Sequence, residues 1–410
     1  MQAVDHNAGV RGLDVDFDLN QAGGRAKLSV ANGSVDVPGY FQQGLIPIDQ
    51  LTAHAKWQLS RDQIAVQMSD IRFANAHTQG QAQINWQTSD PKKSPSVGRF
   101  PGRLDLQATL HRADGRQVHR YLPLVIDQEA RDYVRDAVLE GQASNVRFVV
   151  KGDISDIPAQ DPRRGTFKIS ADVKEARLAY VPRRLQGPQE LPWPELRELS
   201  GELTIDRLQL QVRGARARLG DNGALQVVQA SASIADLTNT EVKVTADAKG
   251  ALPAALRLLN DSPLAELTGH VLAHAVATGD AGYKLKLALP IADLDKSTVQ
   301  GSVMLSGNDV QITADTPKLT RSRGNVNFTH KGVTLAGVQT RMLGGDARLE
   351  GGLLLTGVDN THPTVIRAAG VATAEGLRQA TELGFVARLA QRASGSASYN
   401  ASLGFRQNRP

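Results

Sequence analysis

Apolar and polar residues alternate along most of this chain, in short runs that are separated by glycine or by polar turns. The alternation is clearest in residues 200–220 and 323–344, where a short polar link joins two alternating runs. Each stretch has glycine at its second position and again at its end. A period of two between turn residues is typical of half-buried antiparallel strands. Because the pattern recurs, it predicts an array of hairpins.

Helical periodicity is limited to three segments, residues 127–140, 251–260 and 374–390. The first is the clearest, because Asp127 is a suitable N-cap and apolar residues follow at helical spacing as far as Gly141. Its polar face carries charges of both signs, so we expect it to pack across a sheet and not to lie on a membrane. The three segments make up about a tenth of the chain, far below the usual third. The predicted fold class is therefore mainly β, with a few short helices.

The sequence divides into three segments at proline-rich stretches. Residues 1–100 are predicted to be an N-terminal β segment that ends in a loop containing Pro91, Pro95 and Pro101. Residues 101–195 form a second β segment with the amphipathic helix 127–140 and proline-rich loops. Residues 196–410 are predicted to be the repeating β segment, with short helices near 251–260 and 374–390.

Three short helices cannot cover the apolar face of so many strands. That face must pack on another sheet, curl on itself, or remain as a groove that holds an apolar ligand. For an ordinary domain, the first two arrangements are favoured. The residues alone leave the three possibilities open.

The composition narrows the possible functions. The chain of 410 residues is 41% apolar but only 4% aromatic, so the predicted sheet face is aliphatic. There is no cysteine, which excludes disulfides, thiolate metal sites and cysteine catalysis. The net charge is only +5, and basic pairs such as Lys92-Lys93 and Arg163-Arg164 lie in proline-rich loops. Without a basic stripe that includes aromatic residues, we predict no nucleic-acid partner.

No catalytic, metal or cofactor motif stands out. The chain lacks the Gly-x-Ser-x-Gly nucleophile elbow, the Gly-Lys of a P-loop and the His-Glu-x-x-His zinc motif. His270 and His274 are four residues apart, but glycine and alternation favour a strand there, on which they would be too far apart to share a metal. We therefore predict no enzyme activity, no metal site and no cofactor.

Several different short motifs follow one another along the chain from about residue 120 to residue 405. They are residues 119–123, 133–141, 148–152, 165–169, 178–182, the pair Trp193-Pro194, and residues 199–203, 262–264, 301–303 and 343–345. In order and spacing they resemble the central region of the AsmA-like superfamily of the YhdP type. None of these motifs is catalytic, and the first hundred residues match only in general texture.

The resemblance implies a large envelope protein of Gram-negative bacteria, located in the periplasm and anchored in the inner membrane by an N-terminal helix. Its fold is expected to be an elongated, twisted antiparallel β-sheet array that curls into an open groove. Such proteins move phospholipids toward the outer membrane, so phospholipids are the expected ligands and other envelope proteins are possible partners. This chain shows no signal peptide and no apolar run long enough to span a bilayer. We expect it to be an internal piece without the anchor.

Under this hypothesis, the aliphatic positions of the repeat are the candidate lipid-binding residues of the groove. A closed sandwich core would use the same residues, and a structural or assembly module that pairs with proteins through edge strands is the alternative function. The candidate lining residues are Leu203, Ile205, Leu208, Leu210, Val303, Leu305, Val326, Phe328, Val333 and Leu335.

Overall fold

The computed structural model describes residues 9–92, 98–158, 161–268, 270–293, 296–354 and 364–405. Strands dominate these residues, as predicted, and helices are few and short. The first ten strands are β1 (Gly9–Asn20), β2 (Gly23–Asp36), β3 (Leu45–Leu59), β4 (Ile64–Ala74), β5 (Thr78–Gln87), β6 (Arg103–Asp114), β7 (Val138–Asp153), β8 (Gly165–Leu178), β9 (Leu196–Asp206) and β10 (Gln209–Leu219). The remaining strands are β11 (Leu225–Ile234), β12 (Glu241–Ala251), β13 (Val276–Ala277), β14 (Asp280–Pro290), β15 (Thr298–Gln311), β16 (Leu319–Thr329), β17 (Gly332–Met342), β18 (Gly345–Leu354), β19 (Thr364–Thr373) and β20 (Ser396–Phe405).

Five short α-helices lie between these strands in the described ranges. They are α1 (Gln128–Ala137), α2 (Leu252–Asn260), α3 (Leu264–Leu267), α4 (Ala374–Gln379) and α5 (Phe385–Leu389). Within this described part, no helix is long and apolar enough to cross a membrane. The same residues contain no group of three His, Asp or Glu side chains that could hold a metal ion.

The chain forms two compact units. Unit 1 comprises Met1–Arg184, Glu198–Gly214 and Ser233–Asn239, and unit 2 comprises Leu185–Arg197, Ala215–Ala232 and Thr240–Pro410. Strands β9, β10 and β11 are therefore divided between the units. The three-segment division of the sequence stays a prediction, although β5 and β6, on either side of residue 100, pair along their whole length.

Unit 1 contains an antiparallel meander in which each strand from β1 to β8 pairs with the next. Because residues directly opposite each other share a face, the register produces continuous apolar rows. One row crosses all eight strands: Phe17, Ala26, Ala55, Met68, Ile84, Leu106, Val150 and Phe167. In the described residues β1 pairs with β2 and not with β8, so this meander does not close on itself.

Unit 2 contains a second antiparallel meander, in which β12 pairs with β14 and each strand from β14 to β20 pairs with the next. The two-residue strand β13 pairs with β15. The helices of unit 2 lie at one end of the strands of this sheet. Helices α2 and α3 follow β12, helices α4 and α5 follow β19, and these two strands run in the same direction. We call this end of the strands the helical edge.

Three local predictions need correction. Helix α1 ends at Ala137 and not at residue 140, because Val138 enters β7 and pairs with Leu178. The single helical region predicted over 374–390 is two helices, separated at Gly384, whose φ of 54° interrupts the helix. The strand expected around His270 is not formed in the described residues 270–274, which are turns and in which His270 has a φ of 57°.

Candidate functional site

Six of the ten predicted lining residues lie together on one face of unit 2. Val303, Val326 and Leu335 are directly opposite each other on β15, β16 and β17. Phe328 and Val333 form a pair in the neighbouring row, on the same face because they are two residues away along their strands. Leu305 lies two residues after Val303 on β15, so it is on the same face but on the other side of this row from Phe328. The row continues to Ala248, Tyr283, Gly351 and Ile366.

The other four predicted residues lie in unit 1. Leu203 and Ile205 alternate on β9 and therefore share a face. Leu210 lies on β10, whereas Leu208 occupies the turn before it, where its carbonyl accepts a hydrogen bond from the Leu237 N–H at 2.8 Å. All four are half-buried. Their role in lipid binding stays a prediction.

The apolar face of unit 2 has a closed part and an open part. Near the helical edge, buried apolar side chains form a cluster that we call the edge core: Leu252, Ala281, Leu305, Val338, Leu349 and Ala368. Leu252 is supplied by α2, so the helix covers this end of the face. Toward the opposite edge, Leu287, Phe328 and Val333 are only half-buried. Leu305, with 9% exposure, belongs to the closed part although it was predicted to line the groove.

Few large apolar side chains are completely buried in the described residues. The largest fully buried side chains are Val338, Asn308, Pro182, Ser262 and Ser322, and no described leucine, isoleucine or phenylalanine reaches that level. Most of the buried apolar residues are alanines. A closed sandwich would instead bury its large aliphatic residues between two sheets. Outside the edge core, the described part of the face therefore offers apolar surface that is only half-buried.

Unit 1 has a corresponding apolar face, which the sequence reasoning did not assign to the site. Met68, Ile84 and Leu106 are half-buried members of the eight-strand row. The signal was present in the sequence, because the same period-two alternation runs through residues 12–110 and 146–150. The predicted lining residues came only from residues 203–210, 303–305 and 326–335, so they did not include this face.

In both units, charged residues occupy the opposite face of the sheet. On β14, Lys284 and Lys286 alternate with the apolar residues of the row. On β6 and β7, Asp105 faces Lys151, and their charged groups are 3.1 Å apart. The sheet is thus amphipathic, and its apolar face suits an uncharged aliphatic ligand.

Two carboxyl groups in surface ion pairs have lowered pKa values. Hydrogen bonds from the Arg135 and Arg184 guanidinium groups lower the pKa of the Asp136 carboxyl. The Arg163 side chain lowers the pKa of Asp161 in the same way. Such shifts are typical of surface ion pairs, in which a cation stabilises the carboxylate.

Comparisons with known proteins identify the family of this chain. A search of curated proteins and a search of solved structures each found no match. A family model described as YhdP protein matches residues 1–409. Since this match covers nearly the whole chain, the protein belongs to the YhdP family.

Proposed function

We propose that this chain is a lipid-transfer module that carries phospholipid acyl chains along its aliphatic β-face, as part of a bridge between the inner and outer membranes. The observation that carries the proposal is the set of continuous apolar rows with half-buried members, such as Met68, Ile84 and Leu106 in unit 1 and Phe328 and Val333 in unit 2. Such rows present an aliphatic surface across many strands.

The energetics of acyl chains fit this surface. Each methylene that leaves water contributes about 0.8 kcal/mol, so ten of them contribute about 8 kcal/mol before the entropic costs of binding. The phosphate head group would remain in water at the open edge of the face, away from the edge core. A lipid held in this way can move along the rows, because neighbouring rows offer similar contacts.

Membership of the YhdP family supports the proposed location in the cell envelope. The YhdP family belongs to the AsmA-like group of envelope proteins and is not known for enzymatic activity. A periplasmic location, phospholipid as the ligand and transfer between the two membranes are our proposals for this chain. We propose no catalytic role for it.

The direct test is lipid extraction from the purified protein. Mass spectrometry of the organic extract should find phospholipid in near-stoichiometric amounts. Protein that is folded and free of lipid would contradict the proposal.

A matched pair of photo-crosslinkers locates the contact. A photoreactive phenylalanine analogue at position 328 lies on the apolar face and should label lipid, whereas the same group at the exposed neighbour Asn327 should not. Equal labelling at both positions would argue against a ligand on the apolar face.

One observation favours a second function, pairing with a protein through an edge strand. In β1, the side chains of Phe17 and Leu19 are 61% and 58% exposed, on a strand that pairs on one side with β2. Such an edge can accept a further strand. Phe17→Asp should abolish capture of a protein partner under this alternative, whereas Phe328→Asp should leave that capture unchanged.

A further inference from the structure

Two aromatic side chains of unit 2, Phe328 and Tyr283, pack against the neighbouring strand on the apolar face. Phe328 on β16 is directly opposite Gly301 on β15. A Cβ atom added at Gly301 would lie only 2.9 Å from Cε1 of Phe328, and it would collide with Cζ as well. The ring therefore covers the glycine, and any side chain at position 301 would displace it.

Tyr283 is held down by a hydrogen bond. Its ring is opposite Ala248 of β12, and its hydroxyl donates to the Gly250 carbonyl on the same strand, at 3.3 Å. Burial, together with the nearby Asp280 carboxylate, raises the pKa of Tyr283 to about 12, so the hydroxyl remains protonated and able to donate. The ring is thus directed along the sheet toward β12.

Unit 1 also has an aromatic ring over a glycine, as Phe328 lies over Gly301 in unit 2. Trp57 on β3 is opposite Gly24 on β2, and a Cβ atom at Gly24 would lie 2.5 Å from Cζ2 of the indole. Two different aromatic residues, in two separate units, are thus placed over a glycine of the neighbouring strand. A ring in this position adds about one atomic layer, 3.5–4 Å, to the height of the face.

We propose that Phe328 fills the recess over Gly301, so that the apolar face accepts slender unbranched acyl chains but offers no recess for chains with bulky groups. This inference rests on the proposed lipid-transfer function and adds a selectivity to it. The remaining members of these rows are Val, Leu, Ile, Ala and Gly, which give the face a low relief. The flat rings preserve that relief where larger residues occur.

A purely structural role for the pair makes a different prediction. An aromatic ring over a strand glycine also shields the backbone and supports the sheet. Loss of that support would weaken the binding of every lipid equally. A change in the preference between two lipids would instead require that the ring occupies a recess over Gly301 that a bulky group could otherwise enter.

The experiment compares two probes on the full chain: phosphatidylcholine with straight acyl chains and its analogue with a pyrene group at the end of one chain. Phe328→Ala should increase the binding of the pyrene lipid relative to the straight-chain lipid about tenfold. Phe328→Leu, which removes the ring but keeps most of the apolar volume, should shift the ratio in the same direction and guards against a folding defect. Circular dichroism should show that both variants retain the strand content.

Leu287→Ala is the matched control, because Leu287 lies on the same face but next to Val244 and Val299. It should weaken both lipids without changing their ratio. An unchanged ratio in the Phe328 variants, or an equal shift in Leu287→Ala, would overturn the role of Phe328 in filling the recess, and that role alone. If the unaltered protein binds neither lipid, the proposed function itself fails, and the inference fails with it.

Discussion

The apolar face of unit 2 combines a closed region and an open region built from the same kinds of residues. In the edge core, Leu349 and Val338 are 6% and 2% exposed, whereas Leu287 and Phe328 at the other end of the face are half-buried. The difference comes from what covers each region. Helix α2 contributes Leu252 to the edge core, so one region serves stability while the other is free to serve a ligand.

The largest expected effect is a loss of stability from truncation in the edge core. Leu349→Ala should lower the free energy of unfolding by about 3 kcal/mol, because it leaves a cavity among buried neighbours. Leu287→Ala should cost about 1 kcal/mol, since the site is open and already partly hydrated. Urea denaturation of both variants measures the difference. Equal losses would mean that the open region is packed like a core.

The next effect concerns lipid binding in the open region. Phe328→Asp places a charge on the apolar face and should reduce co-purified phospholipid about tenfold, equivalent to about 1.4 kcal/mol. Its free energy of unfolding should change less than that of Leu349→Ala. Asn327→Asp on the opposite face is the control and should leave the lipid content unchanged. If Phe328→Asp unfolds the protein, then Phe328 is needed for stability and the open region does not differ from the edge core in this respect.

A smaller effect is expected at Tyr283, which borders both regions. Tyr283→Phe removes the hydrogen bond to Gly250 and should cost about 1 kcal/mol at neutral pH. The raised pKa of Tyr283 has a second consequence. Its contribution to stability is fully present below the ordinary tyrosine pKa of 10 and is lost as the pH rises through about 12. The variant should therefore lose less stability than the unaltered protein over this alkaline range, as measured by thermal unfolding.

The smallest effect is expected on the polar face. Arg25 and Asp18 form an ion pair at 3.1 Å, with side chains that are 79% and 73% exposed. Asp18→Asn should change the stability by less than about 0.5 kcal/mol, because water and salt screen such pairs. It should also leave the lipid content unaltered. A large change at this position would show that the polar face contributes to packing or binding.

Much of the local structure could be predicted from alternation alone. The runs around Leu203 and Phe328 became strands, and Asp127 caps α1 through its bond to the Glu129 N–H at 2.8 Å. The helix ends were harder to predict. Val138 has no local signal against helix, and it leaves the helix because it pairs with Leu178 on a strand forty residues away. The strand predicted at His270 was wrong for a different reason. A short alternation of polar and apolar residues also occurs in consecutive turns, as it does at residues 270–274.

The sequence by itself determined that this protein is built from antiparallel strands with one aliphatic and one polar face, because strand geometry converts a period of two directly into two faces. Only the tertiary structure decided which aliphatic residues are covered. Leu305 and Phe328 lie on adjacent strands and on the same face, yet the first is buried in the edge core and the second is half-buried outside it. Coverage depends on the register of neighbouring strands and on where the helices lie, and both are set by contacts between residues far apart in the chain.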